Sequence, residues 1–457
     1  MGLWVRRRTC CTRCGIVGVI GLVCLLTNMG RCVAVRRGGP SAGAGFATTA
    51  VSHARPHSTT AATALPLIRV TRVGAKPFAI ATDERTGRVF VVNQGPDTGK
   101  GSVSVLDATT GAVLATVPLG LVTYGGSDAV TAPLPPQSIA VDERTRRVFV
   151  LSVGALDPVS SAPRGRGFVR VLDAATGRVI RTTAVGNEPE AIAVDATTGR
   201  AFVVNNRDAS MSLLDAATGR AVGLVAVGTP HPVAIATAER AGHVFVSSGG
   251  GSLTTGGAVS PTITIFDGRR AMRRRVVGIN GVVPTFGVDE RANRVVVGFE
   301  IDRYDSEVDV LDAASGKILH RLALPGPPAY PLAVDSATGC AVLYGEPSYT
   351  GGATFVSVLD MQTGRILHTT RSNLRGDGSP LASASINTVT GHALVATQDA
   401  GATHAHLDII DLRTGRLARA VTVGRGAPVV TVDGRARRVF VLNPNDETVT
   451  ILDATSL

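Results

Sequence analysis

The chain has 457 residues, 53 glycines and a formal net charge of +11. Eight arginines precede residue 66, in a stretch without Asp or Glu, and the remaining 38 basic and 35 acidic residues leave only about +3. The excess charge therefore gives no strong indication of nucleic-acid binding. The sequence also lacks an HExxH motif, a phosphate loop and a CxxCH motif, and it has no G-x-S-x-G pattern between a predicted strand and helix, as a nucleophile elbow requires.

Residues 1–34 are predicted to be an export signal or a membrane anchor. A basic segment precedes an apolar run over residues 15–27, which is shorter than the roughly 20 residues that a spanning helix needs. Ala34 is a small residue that suits a cleavage site, and an uncleaved anchor stays open as the alternative. Residues 35–64, rich in Ala, Ser, Thr and Gly, are predicted to be a flexible linker. We therefore expect an extracytoplasmic protein, either secreted or anchored to the outer face of the cytoplasmic membrane.

A repeating unit follows, and its most regular copy spans residues 189–220. Within and just after it, short apolar runs at 191–194, 201–205, 211–214 and 221–227 alternate with D-x-x-T-G turns. The glycine of such a turn supplies the positive φ that a tight hairpin needs. Runs that are apolar on both faces indicate strands that are buried on both faces. Four short antiparallel strands per unit, repeated, predict the blade of a β-propeller.

The first turn of the unit recurs eight times between residue 65 and the end of the chain. Its first position is occupied by Asp83, Asp142, Asp195, Ala238, Asp289, Asp335, Asn387 and Asp433. The fold class is thus predicted to be all-β, with residues 65–457 forming an eight-bladed propeller. Seven blades stay open as an alternative if the irregular unit at residues 284–310 packs differently.

The second strand of the unit reads FVVN at 90–93 and 202–205 and FVLN at 440–443. With the D-x-x-TGR turns, these motifs resemble the YVTN family of β-propeller repeats over about residues 65–457. The resemblance implies a propeller scaffold, often extracytoplasmic, with loosely assigned functions. The WD40 type is disfavoured because the only tryptophan is Trp4 and no GH…WD pattern occurs.

The last unit ends after its third strand, so a strand for blade 8 has to come from elsewhere. The segment LIRVTRV at 67–73 precedes the first unit and ends in Gly74, as the fourth strands do. We expect this segment to complete the last blade and close the ring. Burial of Leu67, Ile68, Val70 and Val73 would contribute on the order of 5 kcal/mol.

The connections between strands two and three and between successive units share one face of the disc, and they vary in length. Such insertions mark the binding face of a repeat architecture. All five tyrosines map to these variable connections or to the strand ends beside them. The predicted ligand-binding residues are Tyr124, Glu188, His231, Glu300, Asp302, Arg303, Tyr304, Tyr330, Tyr349 and Arg371.

The leading hypothesis is a non-enzymatic binding scaffold for a ligand or a partner protein. No cofactor, catalytic residue or metal site is predicted, although the loop at 300–305 and the residues His404, His406 and Asp408 carry metal-ligand types. A monomer is expected, with membrane contact only through an uncleaved segment 1–34. The alternative is an enzyme, lactonase-like or lyase-like, with a site at the mouth of the central channel; this rests on fold analogy alone.

Overall fold

The computed structural model describes residues 67–95, 101–124, 130–133, 136–153, 155–156, 163–249, 261–279, 282–300, 305–325, 329–345, 353–375, 382–398, 404–426 and 428–457. These residues form strands and two short 3-10 helices, Pro444–Asp446 and Ala454–Ser456. The strands assemble into eight four-stranded antiparallel sheets, which are the blades of a propeller. The all-β, eight-bladed prediction is confirmed.

The strands of the first half, numbered in chain order, are as follows. The chain begins with β1 (Leu67–Arg72) and blade 1, which contains β2 (Pro77–Asp83), β3 (Arg88–Asn93), β4 (Ser102–Asp107) and β5 (Val113–Pro118). A hairpin, β6 (Leu121–Tyr124) and β7 (Val130–Pro133), leads to blade 2 with β8 (Pro136–Asp142) and β9 (Arg147–Ser152). A second hairpin, β10 (Ala155–Leu156) and β11 (Pro163–Arg164), precedes β12 (Arg166–Asp173) and β13 (Val179–Asn187) of the same blade. Blade 3 has β14 (Pro189–Asp195), β15 (Arg200–Asn205), β16 (Ser210–Asp215) and β17 (Ala221–Ala226), and blade 4 has β18 (Pro232–Ala238), β19 (His243–Ser248), β20 (Thr262–Asp267) and β21 (Arg273–Gly278).

The second half repeats the pattern, and its described residues contain no further two-stranded hairpin. Blade 5 has β22 (Val282–Asp289), β23 (Arg294–Glu300), β24 (Asp305–Asp312) and β25 (Ile318–Pro325). Blade 6 has β26 (Ala329–Asp335), β27 (Cys340–Gly345), β28 (Ala353–Asp360) and β29 (Arg365–Arg375). Blade 7 has β30 (Ala382–Asn387), β31 (His392–Gln398), β32 (Ala405–Asp411) and β33 (Leu417–Thr422), and blade 8 has β34 (Val429–Asp433), β35 (Arg438–Asn443) and β36 (Thr448–Asp453). The irregular unit at 284–310 therefore belongs to an ordinary blade.

The ring closes as the sequence predicts, because β1 pairs with β36 as the outer strand of blade 8. The Thr71 hydroxyl donates a hydrogen bond to Gly111 O of blade 1 at 2.7 Å. The predicted source of the closing energy is wrong, however, since Leu67, Ile68 and Val70 are 51%, 39% and 52% exposed. They lie on the outermost strand, where no further sheet covers them. The closure therefore depends on backbone pairing more than on burial of these side chains.

The hydrophobic core lies between neighbouring blades rather than at the centre of the ring. One cluster joins Val91 and Leu106 of blade 1 to Phe440 and Ile451 of blade 8. The first strand of every blade packs against the first strands of its two neighbours, so these eight strands line the central channel. Any residue at an end of these strands therefore lies at a mouth of the channel.

Candidate functional site

The disc has two faces that differ in chemistry. On the tight-turn face, short turns join strands one to two and three to four of each blade, such as 84–87 and 108–112. On the variable-loop face lie the connections between strands two and three and between successive blades. Of the predicted ligand-binding residues, Glu188 and His231 have described side chains, and both lie on the variable-loop face.

The asparagine that ends the repeat motif has a structural role on the variable-loop face. Asn205 is fully buried, and its side-chain Nδ2 donates to Ser210 Oγ and Ser212 Oγ, each at 3.0 Å. Its Oδ1 accepts a hydrogen bond from the backbone N–H of Gly186 at 3.0 Å. A Cβ at position 186 would overlap Asn205, which explains why a glycine ends the fourth strand. The asparagine thus connects the second strand of blade 3 to its third strand and to Gly186 at the end of blade 2.

The tight-turn mouth of the channel is held together by hydrogen bonds between blades. The backbone N–H of Gly434 donates to Glu84 Oε1 at 2.8 Å, and that of Glu84 donates to Glu143 Oε1 at 3.0 Å. Further round the ring, the N–H of Ala196 donates to Glu239 Oε1 at 2.8 Å. The first residue after the first strand therefore connects neighbouring blades in blades 1–4 and 8.

A cavity of about 440 Å³ lies at this mouth. Its lining comprises Arg85, Val141, Asp142, Glu143, Arg144, Val194, Ala196 and Glu239. Burial raises the pKa of Glu239, whereas its hydrogen bond from Ala196 acts in the opposite direction. Several of these polar groups are already engaged between blades, since Glu239 Oε2 also accepts from the Thr197 hydroxyl at 3.3 Å and Arg85 Nη1 donates to Glu143 O at 3.4 Å. The polar groups that line the cavity thus also hold neighbouring blades together.

The variable-loop mouth is formed differently. Lys76, Glu188 and His231 occupy equivalent positions in blades 1, 3 and 4, each directly before the proline that begins the innermost strand. Their φ angles are 51°, 50° and 52°, in the left-handed region that non-glycine residues adopt rarely. A residue before proline is further restricted in conformation. Three polar side chains therefore lie at the mouth on backbone conformations that lower the stability of the folded state.

The predicted residues Glu188 and His231 are brought together by one short loop. Arg207 Nη1 of the 206–209 connection lies 3.4 Å from Glu188 Oε1. The adjacent Asn206 Oδ1 lies 3.2 Å from His231 Nδ1. The Asn206 N–H also donates to Glu188 O at 2.8 Å. The loop of blade 3 thus connects the two residues across the blade 3–blade 4 boundary.

Glu190 is a further ionisable group at this mouth, and the sequence analysis missed it. It is half-buried on the innermost strand β14, at a β-bulge that leaves it unpaired between Pro189 and Ala191. No hydrogen bond to its carboxyl group is found among the described residues. Burial, followed by the nearby charge of Glu188, raises the pKa of Glu190 to about 7. The equivalent positions in blades 1 and 4 are Phe78 and Val233.

The remaining predicted residues cannot be joined to this group. Tyr124, Glu300, Tyr330 and Arg371 lie within β6, β23, β26 and β29, and only their backbone is described. Asp302, Arg303, Tyr304 and Tyr349 lie outside the described residues. Their part in binding stays a prediction.

Tyr344 lies at the end of β27, beside a variable connection, as the sequence predicts. Its side chain is nevertheless only 5% exposed and packs in the core between blades 6 and 7. The signal that could have revealed Glu190 is comparative, because a carboxylate replaces Phe78 and Val233 at one position of the unit.

Two further findings concern the chemistry available on the described part of the chain. No group of three or more His, Cys, Asp or Glu side chains there is arranged to hold a metal ion. No helix among those residues is long and apolar enough to cross a membrane.

Comparisons with known proteins establish the fold of the chain but not its family or function. No protein-family model matches the chain, and no curated protein matches its sequence. Among solved structures it is similar to the Dos1 propeller, with a TM-score of 0.60 and 13% identity over 85% of this chain and 96% of that one. It is also similar to hydrazine synthase from Kuenenia stuttgartiensis, with a TM-score of 0.52 and 16% identity over 72% of this chain and 99% of that one. At these identities, the similarity shows a shared β-propeller fold.

Proposed function

We propose that this protein is an exported binding scaffold that recognises a ligand or partner protein through its variable-loop face, at the channel mouth around Glu188, Glu190 and His231. Kinship with the YVTN repeats is part of the proposal and rests on the motifs at 90–93, 202–205 and 440–443. Export rests on the pattern of residues 1–34, and a monomer is assumed. The β-propeller fold is compatible with such a scaffold.

The observation that carries the proposal is the carboxylate of Glu190, to which no described residue donates a hydrogen bond. A half-buried charge without a hydrogen bond lowers stability, and the same position is occupied by apolar Phe78 in blade 1 and Val233 in blade 4. Glu188 and His231 likewise hold unfavourable left-handed conformations next to proline. Buried charges and unfavourable backbone conformations are frequent at functional sites. A ligand that binds at this mouth would explain why the protein retains these destabilising features.

An enzymatic role is the second candidate, and Glu190 supports it as well. A carboxyl group with a pKa near 7 is suited to general acid–base catalysis at neutral pH. The lactonase-like or lyase-like reading would make Glu190 the proton-transfer group at the mouth. Turnover separates the two candidates: an enzyme would convert a bound compound and lose that conversion in Glu190→Gln, whereas a binding scaffold would bind the compound and leave it unchanged.

The test begins with a thermal-shift screen of the protein against metals, sugars and cofactors. A ligand at 100 times its dissociation constant stabilises the folded state by roughly 2.7 kcal/mol. The stabilisation by any hit should fall in Glu188→Gln and in His231→Asn, which suits the left-handed conformation. Arg416→Ser, on the tight-turn face, serves as the matched control.

Equal loss of stabilisation in the control, or none in the two mouth variants, would place binding elsewhere. If no small molecule stabilises the protein, the same variants are compared for binding to a macromolecular partner. Retained partner affinity in both mouth variants would then contradict the proposal.

A further inference from the structure

Blade 4 carries a basic surface that no other blade repeats. Its turn between strands three and four reads DGRRAMRRRVV at 267–277, where blade 3 reads DAATGRAVGLV at 215–225. The five arginines, here called the arginine cluster, are all exposed: Arg269, Arg270, Arg273, Arg274 and Arg275. The cluster lies at the outer rim of the tight-turn face, on the opposite side of the disc from the variable loops.

The turn itself does not need these arginines. Asp267 Oδ1 accepts hydrogen bonds from the backbone N–H groups of Arg269 and Arg270 at 3.0 and 2.8 Å. Asp215 of blade 3 accepts the corresponding bond from Thr218 at 2.8 Å. Small residues therefore make the same turn, and the guanidinium groups have to be explained by what they present to solvent.

The charges of the cluster are poorly compensated. Asp267 is the one acidic residue among five arginines in residues 267–277, which gives this stretch a net charge of +4. Its carboxylate lies 3.1 Å from Arg274 and 3.7 Å from Arg270. Arg275 donates instead to the carbonyl of Ser315 at 3.0 Å. Within the described residues, Arg269 and Arg273 have no ion-pair partner.

An apolar side chain stands in the middle of the cluster. Met272 is 63% exposed, the largest fraction among the large hydrophobic side chains of the described residues, and Val276 on the following strand β21 is 41% exposed. The positions equivalent to Met272 in blades 2, 3 and 5 are Arg178, Arg220 and Lys317. Blade 4 therefore has the apolar Met272 where blades 2, 3 and 5 have a basic residue, although its neighbours along the chain carry the highest positive charge.

We propose that the arginine cluster and Met272 form a docking surface for a membrane rich in anionic phospholipid. Guanidinium groups bind phosphate oxygens in a bidentate manner, and clustered basic residues are attracted to anionic bilayers. A flexible apolar side chain between them can enter the boundary between headgroups and acyl chains. Nucleic acid fits the surface less well, because single strands are bound on aromatic side chains and the one aromatic residue in 261–279, Phe266, is fully buried.

A tryptophan at the centre of the cluster would report contact directly. Met272→Trp in the full chain is titrated with vesicles of phosphatidylglycerol and phosphatidylcholine, and the signal of Trp4 is subtracted with the unsubstituted protein. We expect a blue shift with anionic vesicles, quenching by brominated acyl chains, and neither effect with phosphatidylcholine alone. Arg416→Trp on the corresponding turn of blade 7 is the matched control and should show no change. An equal response from both tryptophans, or none from Met272→Trp, overturns the proposal.

Charge removal gives the second measurement. Arg269→Ser combined with Arg273→Ser, in the Met272→Trp protein, should weaken vesicle binding roughly 25-fold, about fivefold for each arginine. Arg413→Ser combined with Arg416→Ser removes the same charge from blade 7 and should leave binding unchanged. Melting curves establish that both variants are folded. Tighter binding to a single-stranded oligonucleotide than to anionic vesicles, measured by the same tryptophan, would assign the surface to nucleic acid and contradict the proposal.

Discussion

Replacement of Glu190 by glutamine should make the protein more stable at alkaline pH and leave its stability at acidic pH nearly unchanged. Burial and the charge of Glu188 raise the pKa of Glu190 from 4.5 to about 7 in the folded protein. Between these two values the folded state binds more protons than the unfolded state. The free energy of unfolding therefore falls as the pH rises from about 4.5 to about 7, and it is flat with respect to this group above that range.

The size of the effect follows from the shift. A difference of about 2.5 pKa units corresponds to about 3 kcal/mol between pH 4 and pH 8.5. Glutamine has the same shape and does not titrate, so Glu190→Gln should recover this amount at pH 8.5. For a ring of about 390 residues, that is a rise in melting temperature of roughly 4 °C.

The assay is urea denaturation of the unsubstituted protein, Glu190→Gln and Glu188→Gln at pH 4, 6 and 8.5. The difference between the first two should grow from near zero to about 3 kcal/mol. Glu188→Gln is the control for loss of one mouth carboxylate, and it should recover less, because the charge of Glu188 is the smaller of the two causes. A difference that is constant with pH would refute the reasoning, since it would mean that Glu190 titrates alike in the folded and unfolded protein.

Three further changes test the structural account. Asn205→Ala removes three buried hydrogen bonds and should lower the free energy of unfolding by about 2–3 kcal/mol in urea denaturation. Gly111→Ala should lower the free energy of unfolding by about 2 kcal/mol or more, because φ is +68° and the new Cβ would overlap Ile451. Ala271→Gly changes the equivalent turn of blade 4, where φ is +54°, and should raise the free energy of unfolding by about 0.5 kcal/mol. Deletion of residues 67–75 should destabilise the ring by on the order of 5 kcal/mol through lost backbone pairing with β36, and an unchanged melting curve would mean that the ring does not close there.

Much of the fold could be predicted because its determinants are local and repeated. The D-x-x-T-G turns place a carboxylate on the turn N–H groups, as Asp215 does for Thr218, and the same residues recur in most copies. Ring closure was predictable from counting strands. The energetics of closure were not, because the apolar alternation of β1 resembles that of the inner strands, whereas its place on the outer edge exposes Leu67 and Val70.

The candidate site was less accessible to sequence reasoning for a physical reason. Variation in loop length distinguished the two faces, but it could not reveal what the short loop of the copy at 189–220 contacts. The structure instead finds that the short loop of that copy supplies Arg207 and Asn206 to the predicted residues Glu188 and His231. The Arg207–Glu188 contact joins residues 19 positions apart within blade 3. The Asn206–His231 contact joins residues 25 positions apart across the boundary to blade 4, where no pattern within one repeat encodes it.

The contrast between the two mouths suggests how the architecture divides its tasks. On the tight-turn face, Glu84, Glu143 and Glu239 accept backbone hydrogen bonds from the preceding blade. On the variable-loop face, Glu190 accepts none among the described residues. Carboxylates at the tight-turn mouth therefore hold the ring together, whereas Glu190 has no such structural role among the described residues, which agrees with the binding role proposed for it.

The central claim, that binding occurs at the variable-loop mouth, is tested most directly by hydrogen exchange. Backbone exchange is measured with and without the compound or partner that stabilises the protein most. The account predicts slower exchange at 186–190, 206–209 and 231–233, with the tight turns at 84–87, 143–146 and 239–242 unchanged. Protection at those tight turns, with the mouth around Glu188 and His231 unaffected, would contradict it.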